Sequence, residues 1–168
     1  VYDATIYKKL KESGAVLMGK TVLDNISSLR FSEEMTWQQL LTKMADEAIT
    51  NGWAKTGFTD ALIERESKYA TGLHASVDIA IPHADAEWTI EPAMVTATLD
   101  TPVSFNPMGG EGDAVQAKFV FMLVIPDANA HIDFLQAIAG YIEDEELLGD
   151  LAETKDISKL ISYLKENM

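Results

Sequence analysis

The sequence predicts an α/β fold: a single domain with a central mixed β-sheet flanked by α-helices on both sides. Two observations carry this prediction. Helical apolar stripes surround a middle section of strand-like segments, and one of those segments, KFVFMLVI, is apolar at nearly every residue. Such a run is typical of a strand covered on both faces. The chain has 168 residues, 47% of them hydrophobic, which is enough for one sizeable core.

Two helices are predicted before the strands. Apolar residues recur at helical spacing from Thr36 to Ile49, and Thr36 with Gln39 has the pattern of a capping box at the start of this segment. Thr59 is expected to cap a second helix that reaches to about Tyr69. After this second helix the spacing changes from helical to strand-like.

The middle of the chain favours strands, and its end favours helices again. The strand-like segments are Val77–Ile81, Ala93–Leu99, Val103–Phe105 and Lys118–Ile125, with the loop NPMGGEGD between the last two. Beyond Pro126, apolar stripes at Ile132–Ile142, Leu147–Leu151 and Ile157–Leu164 predict three more helices, the last capped by Asp156. Helices therefore stand on both sides of the strand section, as the mixed α/β class requires.

Charge and composition narrow the classes of partner. The formal net charge is -14, so few cations are available to neutralise phosphates, which argues against nucleic acid and anionic membrane surfaces. A basic protein partner or a neutral small molecule is easier to accommodate. The chain has no cysteine, which excludes thiol nucleophiles and thiolate zinc sites and is consistent with a cytoplasmic location. No apolar run reaches the roughly 18 residues of a membrane span, and no signal peptide is visible.

The segment DIAIPHAD places a histidine directly after a predicted strand. Functional groups in open α/β sheets collect beyond the carboxyl ends of strands, where His83 stands. Pro82 fixes its own φ angle and so stiffens the backbone that presents the imidazole. A histidine taken alone is more often structural or merely exposed, but this setting makes His83 the first candidate for a functional side chain.

His131 and Arg65 are the next candidates. His131 lies near the start of the third predicted helix, where free backbone N–H groups favour an anion and Asn129 or Asp127 is the cap. Two histidines that converge there can carry or stabilise a phosphoryl group, or they can hold a metal, although no H-x-x-H pair supports a metal. Arg65 is either a solvated helix arginine or a guanidinium fork that clamps phosphate oxygens.

Taken together, these residues resemble a known family. The segments ERESKYATGL and VDIAIPHADAEW resemble the active-site region of the fructose/mannitol-type (type 2) enzyme IIA of the bacterial phosphoenolpyruvate:sugar phosphotransferase system (PTS). The Y-x-T-G-L element, PVSFNPMGG and HIDFLQAI are most similar to its galactitol-like branch. The resemblance covers roughly Ser27 to Lys165. It implies the family's fold, a mixed sheet flanked by helices.

The resemblance also implies a protein-to-protein phosphotransferase that uses no cofactor and no metal. The family's phosphorylated histidine falls on His83, its second histidine on His131, and the arginine of its R-E pair on Arg65. His83 is expected to take a phosphoryl group from the phosphocarrier protein HPr and to give it to an enzyme IIB, for uptake of a sugar or sugar alcohol. In the mannitol and galactitol branches that acceptor is a cysteine. The family uses Nε2, so the other ring nitrogen needs an acceptor, either a backbone carbonyl or a nearby carboxylate.

Two positions depart from the family pattern. Asp78 stands where members often have glycine, and Ala84 stands where galactitol-like members often have a threonine whose hydroxyl can donate to the phosphoryl group. These departures leave the donor set around the phosphoryl group and the identity of the sugar open.

Two other functions compete with sugar transport. The first is a regulatory domain whose histidine phosphorylation signals to a partner, which uses the same His83. The second is a metal-dependent hydrolase that uses the three histidines and acidic residues, which the spacing does not favour.

The beginning of the chain stands outside this pattern. We expect the enzyme IIA domain to span residues 25–168 and residues 1–24 to form an N-terminal extension without an assigned role. The stretch DATIYKKLKESGAVLMGKTVLD is similar to part of the amidase-signature enzymes, but the Gly/Ser-rich segment that carries their catalytic serines is missing. No function is based on it.

Overall fold

The computed structural model describes residues 24–167, so the N-terminal extension predicted for residues 1–24 lies almost wholly outside the described residues. Within this range the chain forms five strands and five α-helices. The strands are β1 Ile26–Phe31, β2 Gly72–Leu73, β3 Ile79–Ala80, β4 Ala93–Phe105 and β5 Val115–Val124. The helices are α1 Trp37–Thr50, α2 Phe58–Lys68, α3 Ala128–Glu143, α4 Glu145–Thr154 and α5 Ser158–Asn167.

The strands form one mixed sheet in the order β1-β4-β5-β3-β2. β1 runs parallel to β4 and β3 runs parallel to β5, whereas β4 with β5 and β2 with β3 are antiparallel. The mixed sheet with helices on both faces confirms the predicted fold class. None of the helices between residues 24 and 167 is long and apolar enough to cross a membrane.

The central strands bury both of their faces. Alternate side chains of a strand point to opposite faces. Val95 of β4 and Met122 of β5 accordingly belong to the core beneath α1 and α2. Their neighbours Met94 and Phe121 belong to the core beneath α3, α4 and α5. All four side chains are fully buried, which explains why the sequence of β5 is apolar without alternation.

Helix α1 forms nearly as predicted, but α2 begins earlier than predicted. The predicted capping box is present, with the Thr36 side chain and the Gln39 side chain each accepting from the other residue's backbone N–H. The N-cap of α2 is Gly57, so Thr59 lies inside the helix and does not cap it. Phe58 explains the shift, because its fully buried side chain joins the core and its N–H bonds to the Lys55 carbonyl at 2.9 Å.

The strand boundaries also differ from the prediction. The predicted strand Val77–Ile81 shortens to β3, because the Asp78 carboxylate accepts the backbone N–H groups of Ala75 and Gln116 and forms a loop there. The segments Ala93–Leu99 and Val103–Phe105 are one strand, β4, with an irregularity between Thr98 and Val103. The sequence pattern predicts neither β1 nor β2.

Candidate active site

The sheet topology brings the two candidate histidines together. Because β3 and β5 are parallel, the chain leaves both strands at the same edge of the sheet. His83 follows β3 and forms a bridge with Leu123 of β5, whose N–H donates to the Pro82 carbonyl at 3.0 Å. His131 lies in the first turns of α3, which Asp127 caps by accepting from the N–H of Asn129. The two imidazole rings meet edge to face, with centroids 4.3 Å apart and an interplanar angle of 90°.

One hydrogen bond fixes the tautomer of His83. Nδ1 of His83 lies 3.0 Å from the carbonyl oxygen of Ile81. A carbonyl oxygen only accepts, so Nδ1 carries the proton and Nε2 of the neutral ring keeps its lone pair. Of the two acceptors left open by the sequence, the structure therefore supplies the backbone carbonyl. The residue is 9% exposed, so little of the ring meets solvent.

The surroundings keep His83 neutral at physiological pH. Burial lowers the pKa of His83 to about 4, and the nearby His131 and Arg65 act in the same direction. The Ile81 carbonyl and Asp85 oppose this shift without reversing it. Because the free base is the form that attacks an electrophile, these surroundings favour a nucleophilic imidazole.

His131 presents a polar atom without a partner. Burial, followed by the charge of Arg65, lowers the pKa of its imidazole, so this ring too is neutral at pH 7. Its Nε2 is buried and finds no hydrogen-bond partner among residues 24–167. Buried polar atoms are nearly always paired, so an unpaired one beside a nucleophile points to a ligand that this atom contacts.

Arg65 lies close enough to both histidines to affect them electrostatically. Its Nη1 lies 3.3 Å from Oδ1 of Asp85, and its guanidinium carbon lies 5.5 Å from the ring centroid of Tyr69. Its Nε is buried and has no partner within the described part of the chain. The guanidinium is thus held from two sides while a donor stays unused, an arrangement suited to an anion.

Glu66 and Thr71 also build the site, and sequence reasoning gave them no role. The Glu66 carboxylate is buried and accepts from the Thr71 backbone N–H at 2.9 Å and from the Thr71 hydroxyl. Burial raises the pKa of Glu66 to about 7. This contact ties the end of α2, where Arg65 lies, to the turn that enters β2. The available signal was spacing, because Glu66 continues the buried stripe of Phe58 and Leu62.

The third histidine belongs to a different part of the molecule. His74 contacts the Asp78 carboxylate at 3.2 Å and the Asp113 carbonyl at 3.0 Å, and neither group contacts the two site histidines. Within residues 24–167, no group of three histidine, aspartate or glutamate side chains is arranged to hold a metal ion. The structure thus brings together His83, His131 and Arg65 and leaves His74 apart.

One family model matches most of the chain. The model of the family described as "Phosphoenolpyruvate-dependent sugar phosphotransferase system, EIIA 2" matches residues 22–167. The chain belongs to this family. Enzyme IIA domains of the PTS are phosphotransferases, so the family and the nucleophilic setting of His83 agree on the class of chemistry.

Two curated relatives show the range of the family. The mannitol-specific EIICBA component of Pasteurella multocida is 28% identical over 123 residues, or 71% of this chain. The chain spans only 19% of that longer protein. The nitrogen regulatory protein of Bradyrhizobium diazoefficiens is 25% identical over 135 residues, which are 79% of this chain and 82% of that protein. The relatives thus include a mannitol-specific PTS component and a nitrogen regulatory protein.

A solved structure supports the fold. Mannitol enzyme IIA of Escherichia coli, in its complex with phosphorylated enzyme IIB, matches with a TM-score of 0.67 and 20% identity, over 88% of this chain and 98% of that chain. At this identity the match establishes the enzyme IIA fold and nothing finer. The galactitol-like branch stays a prediction.

Proposed function

We propose that this chain is a phosphoryl carrier of the PTS, which accepts a phosphoryl group from phospho-HPr on Nε2 of His83 and passes it to an enzyme IIB. The observation that carries the proposal is the bond from Nδ1 of His83 to the Ile81 carbonyl. It leaves Nε2 as the free nucleophile of a neutral ring, near the unpartnered nitrogens of Arg65 and His131.

The proposed transfer balances without moving a proton through the site. The phosphohistidine of the donor, with its other ring nitrogen protonated, loses the phosphoryl group and leaves as neutral imidazole. The lone pair of Nε2 forms the new P–N bond, and the Nδ1 proton stays on Nδ1, which continues to donate to the Ile81 carbonyl oxygen. Onward transfer breaks this P–N bond as the nucleophile of the partner, a cysteine thiolate in the sugar-alcohol branches, attacks phosphorus.

Arg65 and His131 have the supporting roles in this scheme. Negative charge spreads over the equatorial oxygens while the phosphoryl group passes. Arg65 offers a guanidinium with an unused Nε, and His131 offers a buried ring nitrogen, so both can offset this charge. The scheme needs no metal and no cofactor.

The partners follow from the same proposal. The net charge of -14 fits a basic donor such as HPr, with the attraction acting mainly on the rate of encounter. The enzyme IIB partner, the galactitol-like branch, the domain boundary at residue 25 and the cytoplasmic location remain predictions of the sequence. This chain would not bind the sugar itself, because a membrane-embedded component does so in this system.

A regulatory role is the second candidate function, and the nitrogen regulatory relative is the observation that favours it. Both functions use phospho-His83, and they differ in what takes the group next. A cognate enzyme IIB that removes the phosphoryl group in a purified mixture would support transport. A phosphorylated form that persists in that mixture would support regulation.

The first step can be tested by phosphorylation in vitro. The protein is incubated with phosphoenolpyruvate, enzyme I and HPr, and phosphate that is labile in acid but stable in base is measured. We expect the wild type and His74→Ala to be labelled and His83→Ala to be unlabelled. His74→Ala is the matched control, because it also removes a histidine, but one outside the site. Equal labelling of His83→Ala would contradict the proposal.

A further inference from the structure

The carboxylate of Asp85 faces the site and does not cap its own helix. Asp85 stands two residues after His83, at the N-cap of the short 3₁₀ helix Ala86–Trp88. An aspartate in this position ordinarily accepts backbone N–H groups of the first turn. Here no side chain caps the helix, and Oδ1 of Asp85 lies 3.3 Å from Nη1 of Arg65.

Other contacts hold the backbone around Asp85 in place. Ala84, the residue before it, is buried, and the Trp88 carbonyl accepts from the N–H of Lys55 at 2.9 Å. The Trp88 ring lies so close to Gly57 that a Cβ there would be 2.2 Å from it. The Asp85 side chain is 69% exposed, and an ion pair this exposed adds little to stability. The fold therefore does not depend on the charge of Asp85.

A phosphoryl group on His83 changes the balance of charge at the ion pair between Arg65 and Asp85. It brings about two negative charges at neutral pH, as phosphoryl groups on other side chains do. Its oxygens would compete with Asp85 for the Arg65 guanidinium, and Asp85 would repel them directly. Arg65 can respond, because its Nε has no partner among the described residues.

We propose that Asp85 is a positioning residue that holds Arg65 in the unphosphorylated state, yields Arg65 to the phosphoryl group, and by its remaining charge disfavours the phosphorylated form. This inference rests on the proposed function and adds a new role to it. Asp85 forms and breaks no covalent bond. It sets how readily the phosphoryl group leaves His83, so the carrier passes the group on and does not retain it.

The test measures the equilibrium of phosphoryl exchange between phospho-HPr and three variants of the full chain. Asp85→Asn removes the charge, Asp85→Glu restores it, and Glu87→Gln removes an equal charge from the same 3₁₀ helix. We expect Asp85→Asn to raise the ratio of phosphorylated to free protein about threefold to tenfold, the size expected for a carboxylate that acts through solvent on a doubly charged group. Asp85→Glu should return the ratio towards that of the wild type, and Glu87→Gln should leave it within about twofold.

Salt separates a charge effect from a change in packing. The difference between wild type and Asp85→Asn should shrink as ionic strength rises from about 0.05 M to about 0.5 M, because solvent-exposed charges are screened. The inference is overturned if Asp85→Asn matches Glu87→Gln, if it lowers the ratio, or if the difference does not respond to salt. A wild type that HPr does not label would instead overturn the proposed function, and this inference with it.

Discussion

Arg30 meets Asp100 of β4 with two nitrogens, at 2.8 and 3.2 Å, whereas Arg65 meets Asp85 beside His83 with one, at 3.3 Å. Asp100 also accepts from Ser32 and Lys155, so its carboxylate is saturated with donors. At the site, Arg65 keeps an unpartnered donor. An arginine–aspartate pair can therefore serve two purposes. When all its donors are paired it joins elements of the fold, and when one donor is unpaired it can still bind a ligand.

The two regions also titrate in different pH ranges. Hydrogen bonds from Arg30, Ser32 and Lys155 hold the pKa of Asp100 well below its usual range, so its contribution to stability is present above pH 4 and is lost only in stronger acid. At the site, the pKa of His83 is lowered to about 4 and the pKa of Glu66 is raised to about 7. Between pH 4.5 and pH 7, the shifted pKa values of His83 and Glu66 make the free energy of unfolding depend on pH, whereas the shift of Asp100 does not.

The first prediction concerns how the free energy of unfolding varies with pH. It is the largest effect expected after the loss of phosphorylation in His83→Ala. The fold buries His83 in its neutral form, so the contribution of His83 to stability is lost as pH falls from 6.5 towards 4. The fold favours the protonated form of Glu66, so the contribution of Glu66 is lost as pH rises from 4.5 to 7. The two effects offset each other in the wild type. The free energy of unfolding of Glu66→Gln should fall by about 2 to 3 kcal/mol as pH is lowered from 7 to 4.5, because His83 still titrates. That of His83→Ala should fall by a similar amount as pH is raised from 4.5 to 7, because Glu66 still titrates.

Urea unfolding at pH 4.5, 5.5 and 7 measures both variants. The lowered pKa of His131 adds to the effect of His83, so Glu66→Gln should show the steeper profile. Asp100→Asn is the control from the other region, and its stability should change little over this range. Parallel profiles for Glu66→Gln and His83→Ala would show that the two buried groups do not titrate as described.

The second prediction tests the unpartnered ring nitrogen of His131. His131→Ala should still be labelled by phospho-HPr, because the nucleophile and its Ile81 contact remain. Transfer onward to enzyme IIB should slow on the order of 100-fold, the usual effect of losing one donor that stabilises transition-state charge. Rapid-quench measurement of both half-reactions separates the two steps. An unchanged onward rate would remove His131 from the mechanism.

The sequence predicts well those helices and strands that have local signals, and it does not reveal those that depend on long-range contacts. The Thr36 capping box depends on residues three apart, and α1 begins within one residue of its predicted start. β1 was missed because its sequence, ISSLRF, carries little apolar alternation at the edge of the sheet. β2 has only two residues and exists through its pairing with β3. Periodicity within one segment cannot register such partners.

The same distinction applies to the site. Strand-end position singled out His83 from local sequence alone, and the helix start and the guanidinium fork made His131 and Arg65 candidates. The likeness to a family then gave these three residues their roles. The contact between Arg65 and Asp85 joins residues twenty apart and needs the fold before it can be seen. The tautomer of His83 was equally out of reach, because the sequence allowed either a carbonyl or a carboxylate and only the geometry selects the Ile81 carbonyl.

The third prediction changes both arginines in the same way. A lysine keeps the charge but cannot reproduce the planar fork of donors. Arg65→Lys should slow phosphoryl transfer about tenfold, because the ammonium cannot contact Asp85 or the phosphoryl oxygens from the same two directions. Arg30→Lys should leave the transfer rate within about twofold, since Arg30 is more than half exposed and its contacts lie at Asp100, away from His83.

The rate of single-turnover transfer from phospho-HPr and an unfolding curve are measured for each of the two variants. Arg30→Lys should affect the unfolding curve more than the rate, because one of its two contacts to Asp100 is lost while Ser32 and Lys155 stay. Equal slowing by both substitutions would mean that the two pairs share one role, and the contrast between satisfied and open donors would then carry no functional meaning. Slowing by Arg65→Lys alone would locate phosphoryl recognition at the pair that the fold leaves incomplete.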